Sequence, residues 1–411
     1  VFILFILYPV YFGHMSMNPK DPITATTFVW IIYLILKYFR SVNKDKKNTY
    51  VVKIGILLAI GTGVRLIFPV IFAPVFFFLI SDLLIFKKII KNFIFKEILV
   101  DLFKILLIFY FILILFWPQV HNNILTEPFA IIAEMFERNE EKPASFDLPI
   151  MLNGIIYLGV DKPKEYLLIN LFYKTPEYLL LLYISAPYIL IRYNKFFVKK
   201  IINFNYHLSL VLITLILTYL LTVISPFPLY DGMRLFLYII PFLLIVPGLV
   251  IYFILNNLNF FYYRLFLIFI AFLFSISIYK FISLTPYHYV YLNYFAGQTE
   301  HNSKKFENDY LGVSIKELIK KSNFLNEKNG TRLAICGIDQ VNVKYYLKKY
   351  NYFKVRIVRP EENYDYVLMT NRVNWAIQEK DKQKTCFKSF NGEIKSYVNR
   401  NNLNISLIKS K

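Results

Sequence analysis

Apolar runs recur along this chain, and no other feature so constrains what it can fold into. A helix that crosses a membrane needs about 20 apolar residues to span a hydrocarbon core of about 30 Å, and its backbone must satisfy its own hydrogen bonds. Nine such segments are read here: 1–12 (truncated), 23–39, 51–68, 70–86, 99–117, 166–191, 205–224, 235–255 and 264–283. Segments 51–68 and 70–86 are nearly continuous, interrupted at Arg65 and Pro69. As one helix they would run about 54 Å, too long for one crossing, so a tight helical hairpin is predicted. The composition agrees with a membrane chain. Hydrophobic residues make up 57% and charged residues 18%, against about 45–50% and about 25% in soluble domains. A disordered chain, a disulfide scaffold and an ordinary cytosolic enzyme are excluded, and a polytopic membrane protein remains.

The net charge of +20 would point to nucleic acid in a soluble chain. Here the charges fall between apolar runs, so they are read through the positive-inside rule and no nucleic-acid partner is expected. Loops 37–53, 87–98, 192–204 and 256–264 together carry fifteen Lys and Arg, from Lys37 to Arg264. The opposite short loops carry three, Lys20, Arg65 and Arg234. That bias predicts cytoplasmic basic loops. It places loop 13–22, the turn at 65–69, loop 225–234 and the long loop 118–165 on the outer face of a plasma or inner membrane. Within 118–165 the stretch EPFAIIAEMFE sets Phe129, Ile132 and Phe136 opposite Glu134 and Glu137. This is a helix that lies on the membrane surface or packs on protein. The chain opens on Val1 inside an apolar run and shows no signal peptide, so an N-terminal part is expected upstream.

Residues 284–411 lose the long apolar runs. RLAICGI, VRIV and YDYVLM read as strands, and VSIKELIKKS and NVKYYLKKY as helices. The fold class is therefore an α-helical polytopic membrane protein, residues 1–283, with a small extracytoplasmic C-terminal α/β domain, residues 284–411, placed on the outer side by the odd number of crossings from the first segment. Cys336 and Cys386 lie too far apart in sequence for a zinc or redox signature. In an oxidising space a disulfide between them is open.

Polar groups at membrane depth are costly and so are functional candidates. They collect at one end of the segments. GHMSMNPKDP carries His14, Asn18, Lys20 and Asp21. Asp21 before Pro22 suits a helix start, with Asp as N-cap, and a carboxylate at a dry membrane mouth equally suits a general base or a cation ligand. Arg65 in TGVRLIFP suits either a snorkelling side chain or a phosphate contact. In SPFPLYDGMRLF, Pro226 and Pro228 end one helix, Asp231-Gly232 makes a turn and Arg234 opens the next helix. Arg234 there suits a lipid-phosphate site, and a solvated turn is the plainer reading. In WPQVHNN, Trp117 is an interfacial anchor, and His121 is either structural or a ligand. No zinc-protease, P-loop, serine-hydrolase or dinucleotide motif appears in a fitting context.

Four stretches, FGHMSMNPKDPITATTF, LNGIIYLGVDKPKEYLLINLFYKTPEYLLLL, LYDGMRLFLYIIPFL and PYHYVYLNYFAG followed by ENDYLGVSIKEL, resemble in order the GT-C superfamily of integral-membrane glycosyltransferases. The resemblance is to its dolichyl- or polyprenyl-phosphate-mannose protein mannosyltransferase-like branch, and it runs from residue 12 to about 320. It implies an enzyme that moves a sugar from a polyprenyl-phosphate donor to a protein, lipid or glycan acceptor on the outer face. Asp21 then corresponds to the acidic residue of the second outer loop, and Arg65 and Arg234 to the phosphate-side bases. His14, Lys20, His121 and Asp231 are further candidates. The family's principal acid belongs to a first outer loop upstream of Val1. Some members bind a divalent metal and others need none, so a cation is left open. Two other classes compete: a polytopic transporter or flippase-like carrier, and an inactive assembly subunit. A transporter calls for paired charges near the midplane. Lys174 with Glu177, three apart on one predicted helix, is the nearest case and would pair with itself.

Overall fold

The computed structural model describes residues 1–87, 95–136, 149–158, 161–225, 228–297, 305–327, 330–375 and 384–411. Glu137, Glu140, Glu141, Asp147, Pro226, Lys88 and Lys91 lie outside them. The membrane part comprises α1 (Phe2–Ile6), α2 (Pro9–Met17), α3 (Asp21–Arg40), α4 (Lys44–Val64), α5 (Ala73–Ser81), α6 (Phe95–Leu115), α7 (Glu127–Phe136), α8 (Tyr166–Lys174), α9 (Glu177–Arg192), α10 (Asn194–Lys200), α11 (Phe204–Ile224), α12 (Ile240–Leu255) and α13 (Phe261–Ser283). Six stretches, not nine, are long and apolar enough to cross a membrane among the described residues: 21–40, 68–86, 96–115, 204–224, 234–255 and 261–283. They fit a multi-pass membrane protein.

The three losses have local causes. Segment 1–12 breaks at Pro9, which fixes φ and lacks an N–H, and becomes α1 and α2. Segment 166–191 breaks at Thr175-Pro176 into α8 and α9, the latter 16 residues long. Helix α4 has the length, but its first turns carry Lys44, Lys46 and Lys47. It is sandwiched between α3 and α6. The predicted hairpin at Arg65–Pro69 is half right. The helix ends at Val64, yet α5 packs on α11 instead of folding back along α4. Helix α7 forms as predicted, with Phe129 and Ile132 exposed.

The two ends of the bundle differ in chemistry. At one end the basic loops meet. Tyr38 donates to Asp101 at 2.8 Å, Lys104 pairs with Asp101 at 2.9 Å, and Arg40 touches His207. The other end carries the acid–arginine cluster described below and the C-terminal domain.

That domain is a five-stranded sheet of order β4-β3-β5-β7-β6. Its strands are β3 (Arg332–Cys336), β4 (Arg356–Val358), β5 (Tyr366–Thr370), β6 (Ile394–Arg400) and β7 (Leu403–Ser410). Strands β4, β3 and β5 run parallel, and β7 and β6 add antiparallel. Helices α14 (Ile315–Lys321) and α15 (Gln340–Lys349) cover it through Ile315, Leu318, Val343 and Leu347. Cys336 and Cys386 form a disulfide. The hairpin β6–β7 and a second one, β1 (Ile150–Leu152) with β2 (Ile155–Tyr157), were not anticipated. Both turn on residue pairs in the left-handed region, Asn401-Asn402 at φ 50° and 60° and Asn153-Gly154 at φ 50° and 88°. Two positive φ values are what a two-residue hairpin turn needs to match strand twist.

Candidate functional site

The site grows from three breaks in helical structure. Helix α3 begins at Asp21, with Lys20 as N-cap and no side-chain cap. The expected capping role for Asp21 is therefore wrong: its carboxylate turns inward and is 3% exposed. Helix α4 ends at Val64, and the next residue, Arg65, has an extended backbone (φ −145°, ψ 113°) that leaves the helix. Gly61, in the last turn of α4, leaves room for Phe68, since a Cβ there would stand 2.2 Å from the Phe68 ring. The third break is the Asp231-Gly232 turn, with φ 56° and 61°, after which Arg234 opens a 3-10 stretch, Arg234–Ile239, leading into α12.

These breaks bring Asp21, Arg65 and Arg234 together. Arg65 pairs with Oδ1 of Asp21, and Arg234 donates Nε–H to Oδ2 at 2.9 Å. Asn18 also donates to Oδ2. Arg234 uses its second edge on Asp231, Nη1 to Oδ2 at 2.7 Å. The other oxygen of Asp231 accepts from Arg372 of the C-terminal domain at 3.0 Å, and Arg372 pairs with Glu307 at 3.8 Å. The result is a series of six groups alternating in sign, buried except at the partly exposed Arg65 and Arg234: Arg65, Asp21, Arg234, Asp231, Arg372 and Glu307. Asp231 is 5% exposed, so the solvated-turn reading of that loop does not hold.

Further titratable groups line the same end. His14 contacts the Tyr310 hydroxyl at 2.8 Å. Burial lowers the His14 pKa strongly; Lys174, Arg234 and Arg65 reinforce this, while Asp21 opposes it, and the imidazole is neutral. Lys174 is buried and lies beside the Asp231-Gly232 turn. A Cβ on Gly232 would come within 3.0 Å of its Nζ. Burial lowers Lys174 against the pull of Asp231 and Glu307, and burial raises Glu307 against the pull of Arg372. The predicted pairing of Lys174 with Glu177 on one helix is overturned, because Thr175-Pro176 parts them. Glu177 instead binds Lys280 of α13 at 3.4 Å.

Lys20 is exposed and adds only its backbone N–H, donated to Asn18 Oδ1 at 3.1 Å. His121 is exposed and donates Nε2–H to the Ile114 carbonyl at 2.9 Å; it takes no part in the cluster. Among the described residues no three His, Cys, Asp or Glu converge to hold a metal. Both oxygens of Asp21 and of Asp231 face guanidinium groups. This donor set does not fit a divalent cation.

Beyond Asp21, Arg65 and Arg234 runs a groove of about 470 Å³, within the size range of ligand pockets. Its walls are apolar, from Phe68, Ile71, Leu229 and Phe236. Val70, Leu221 and Ile224 are exposed along it, so it opens on the flank of the bundle. Among the described residues that line it, the ionisable side chains besides Tyr230 and Tyr238 are those three. An apolar trough closed at one end by two guanidinium groups can hold a molecule that is greasy over most of its length and anionic at its head.

Arg372, Glu307 and Tyr310 were not singled out as site residues from the sequence. Glu307 and Tyr310 lie in ENDYLG, one of the stretches that carry the family resemblance. Arg372 stands two residues past the carboxyl end of β5, a parallel strand, where open α/β sheets gather ligand-binding groups. Comparison of the chain with known protein families, curated proteins and solved structures finds no match in any of the three.

Proposed function

We propose that this chain is a GT-C-type glycosyltransferase, a hexosyltransferase that moves a sugar from a polyprenyl-phosphate donor to a protein, lipid or glycan acceptor on the outer membrane face. One observation carries the reading: the apolar groove ends in a carboxylate held between two arginines. The polyprenyl chain lies in the groove with its phosphate on Arg65 and Arg234. Breaking the anomeric C–O bond sends the electron pair to the phosphate oxygen, and the two guanidinium groups stabilise that growing charge in a site of low dielectric. As the phosphate draws on their charge, Asp21 takes the proton of the acceptor hydroxyl, whose oxygen bonds to the anomeric carbon in place of the phosphate.

Sidedness supports the same reading, since the arginine groove lies at the end opposite the basic loops, the outer end under the positive-inside rule. The test is sugar transfer by the purified full-length protein in liposomes supplied with polyprenyl-phosphate hexoses and candidate acceptors. Transfer should be present, and should fall roughly 30- to 1000-fold in Arg234→Ala for loss of a charged contact of about 2–4 kcal/mol. If neither the wild type nor Arg234→Ala binds a prenyl phosphate, the reading fails outright.

A further inference from the structure

We infer that Arg372 is a positioning residue for the groove: through Asp231 it sets the guanidinium of Arg234, so the C-terminal domain is a working part of the membrane site. The inference rests on the reading of Arg234 as the phosphate contact. Among the described residues, the Arg234 side chain makes its hydrogen bonds to Asp21 and Asp231 and none to the C-terminal domain. Its Nη1 is fixed by one oxygen of Asp231, and the other oxygen of Asp231 is fixed by Arg372. With both Asp231 oxygens engaged, the carboxylate cannot rotate, and Nε of Arg234 stays aimed at Asp21 and the groove.

Arg372 is itself built in. It is 5% exposed, its guanidinium lies 4.6 Å from the Trp375 ring, and its Nη1 faces the Tyr310 carbonyl at 3.4 Å. Its own carbonyl accepts from Cys386 N–H at 2.7 Å, so the disulfide to Cys336 on β3 ties the strand end that carries it. A residue needed only for domain docking would not require a partner that also holds a groove arginine. Asp231 is that partner, on a turn whose left-handed backbone brings the two arginines to opposite edges of one carboxylate.

Binding of an anion by Arg234 should therefore be felt at Trp375, and loss of Arg372 should be felt in the groove. The experiment uses the full chain in nanodiscs with Trp30 and Trp117 replaced by Phe, which leaves Trp375 as the one tryptophan. The probe is farnesyl phosphate, with farnesol as the uncharged control. Saturating farnesyl phosphate should shift Trp375 emission, and farnesol should not. Arg372→Ala should weaken farnesyl phosphate about tenfold, equal to about 1.4 kcal/mol, and leave farnesol affinity unchanged. Arg372→Lys, which keeps the charge but loses the fork, should recover part of the loss.

If Trp375 stays silent in the wild type while Arg234→Ala abolishes binding, the positioning role is wrong and the groove reading stands. If Arg372→Ala keeps farnesyl phosphate affinity within twofold, the outcome is the same. Should Arg372→Ala fail to fold, the wild-type Trp375 response alone decides. If Arg234→Ala itself leaves farnesyl phosphate binding intact, the groove reading falls with it.

Discussion

Replacing Asp21 by Asn should separate phosphate binding from turnover, because the two are expected to move in opposite directions. Asp21 is 3% exposed and sits between Arg65 and Arg234, which are 19% and 20% exposed. At an effective dielectric of about 20, each pair attracts by about 4 kcal/mol at 4 Å. A phosphate on the far side of a guanidinium stands about 8 Å from the Asp21 charge, and the repulsion there is about 2 kcal/mol. Asn keeps the shape and removes that repulsion. Farnesyl phosphate should then bind about 10- to 30-fold more tightly, and farnesol no more tightly. The unliganded protein should lose about 3 kcal/mol, since two partly buried guanidinium groups lose their counter-charge, and the ligand should restore much of it. Turnover should still fall roughly 100-fold or more if Asp21 takes the acceptor proton. Isothermal titration with both probes, thermal unfolding with and without farnesyl phosphate, and transfer rates would read all three effects. Weaker phosphate binding in Asp21→Asn would refute the reasoning, because Asp21 would then serve to hold the arginines in place and not to compete with the ligand.

Gly232→Ala should be destabilising by about 1–3 kcal/mol, read by thermal unfolding, because residue 232 holds φ 61° and a Cβ would press on Lys174. It should also weaken farnesyl phosphate, since the turn carries Asp231. In the C-terminal domain, burial would raise the Glu317 pKa, but hydrogen bonds from Arg400, Lys321 and Tyr287 outweigh burial and hold it at about 2. That lies below the unfolded value of about 4.3, so the contribution to stability is full above about pH 4.3 and is lost as pH falls through about 2. Unfolding midpoints of wild type and Glu317→Gln should converge over that window and differ above it. The Cys336–Cys386 disulfide closes a sequence separation of 50 residues, for which chain entropy gives about 4 kcal/mol. Reduction, or Cys336→Ser with Cys386→Ser, should lower the unfolding temperature of the domain by a corresponding amount.

Much of this was legible in the sequence. Hydrophobic run length locates the six long helices, because lipid demands it of every crossing, and RLAIC and YVLM are recovered as β3 and β5. Counting apolar residues misjudged the segments in which proline or lysine breaks the run, at Pro9, at Pro176 and at the start of α4. The hairpins were missed although Asn-Gly and Asn-Asn state their turns. At the site, Asp21, Arg65, Arg234, His14 and Asp231 could be picked out because charged and polar residues are rare beside apolar runs. In the polar C-terminal region that contrast vanishes. Arg372 and Glu307 are two charges among many there, and only the folded sheet, which delivers β5 to the Asp231 turn, distinguishes them. Lys174 was noticed for the wrong neighbour, since spacing along a helix means nothing once Pro176 has ended it.

Two ionic groupings among the described residues differ in a way that bears on the proposed function. Lys280 and Glu177 are closed on themselves. Glu177 also accepts from the Tyr291 hydroxyl and the Tyr294 N–H, and Lys280 sits 3.3 Å from the Tyr294 ring centre. The six-group series that ends at Arg65 is not closed: its last carboxylate and two of its guanidinium groups form the head of an apolar groove. Burying charges is costly even when they are paired, and packed apolar side chains of similar volume are often at least as stabilising. Stability alone therefore gives no reason to keep three arginines at one end of a bundle otherwise filled with Phe, Leu and Ile. A ligand does. On the proposed reading, a lipid-linked phosphate would draw on positive charge that Asp21 and Asp231 hold in readiness, and its polyprenyl chain would use the apolar trough. A transporter would need such charges along a path through the membrane, whereas the six groups of this series sit at one end. That placement is what favours chemistry on a lipid-anchored donor over passage of a solute.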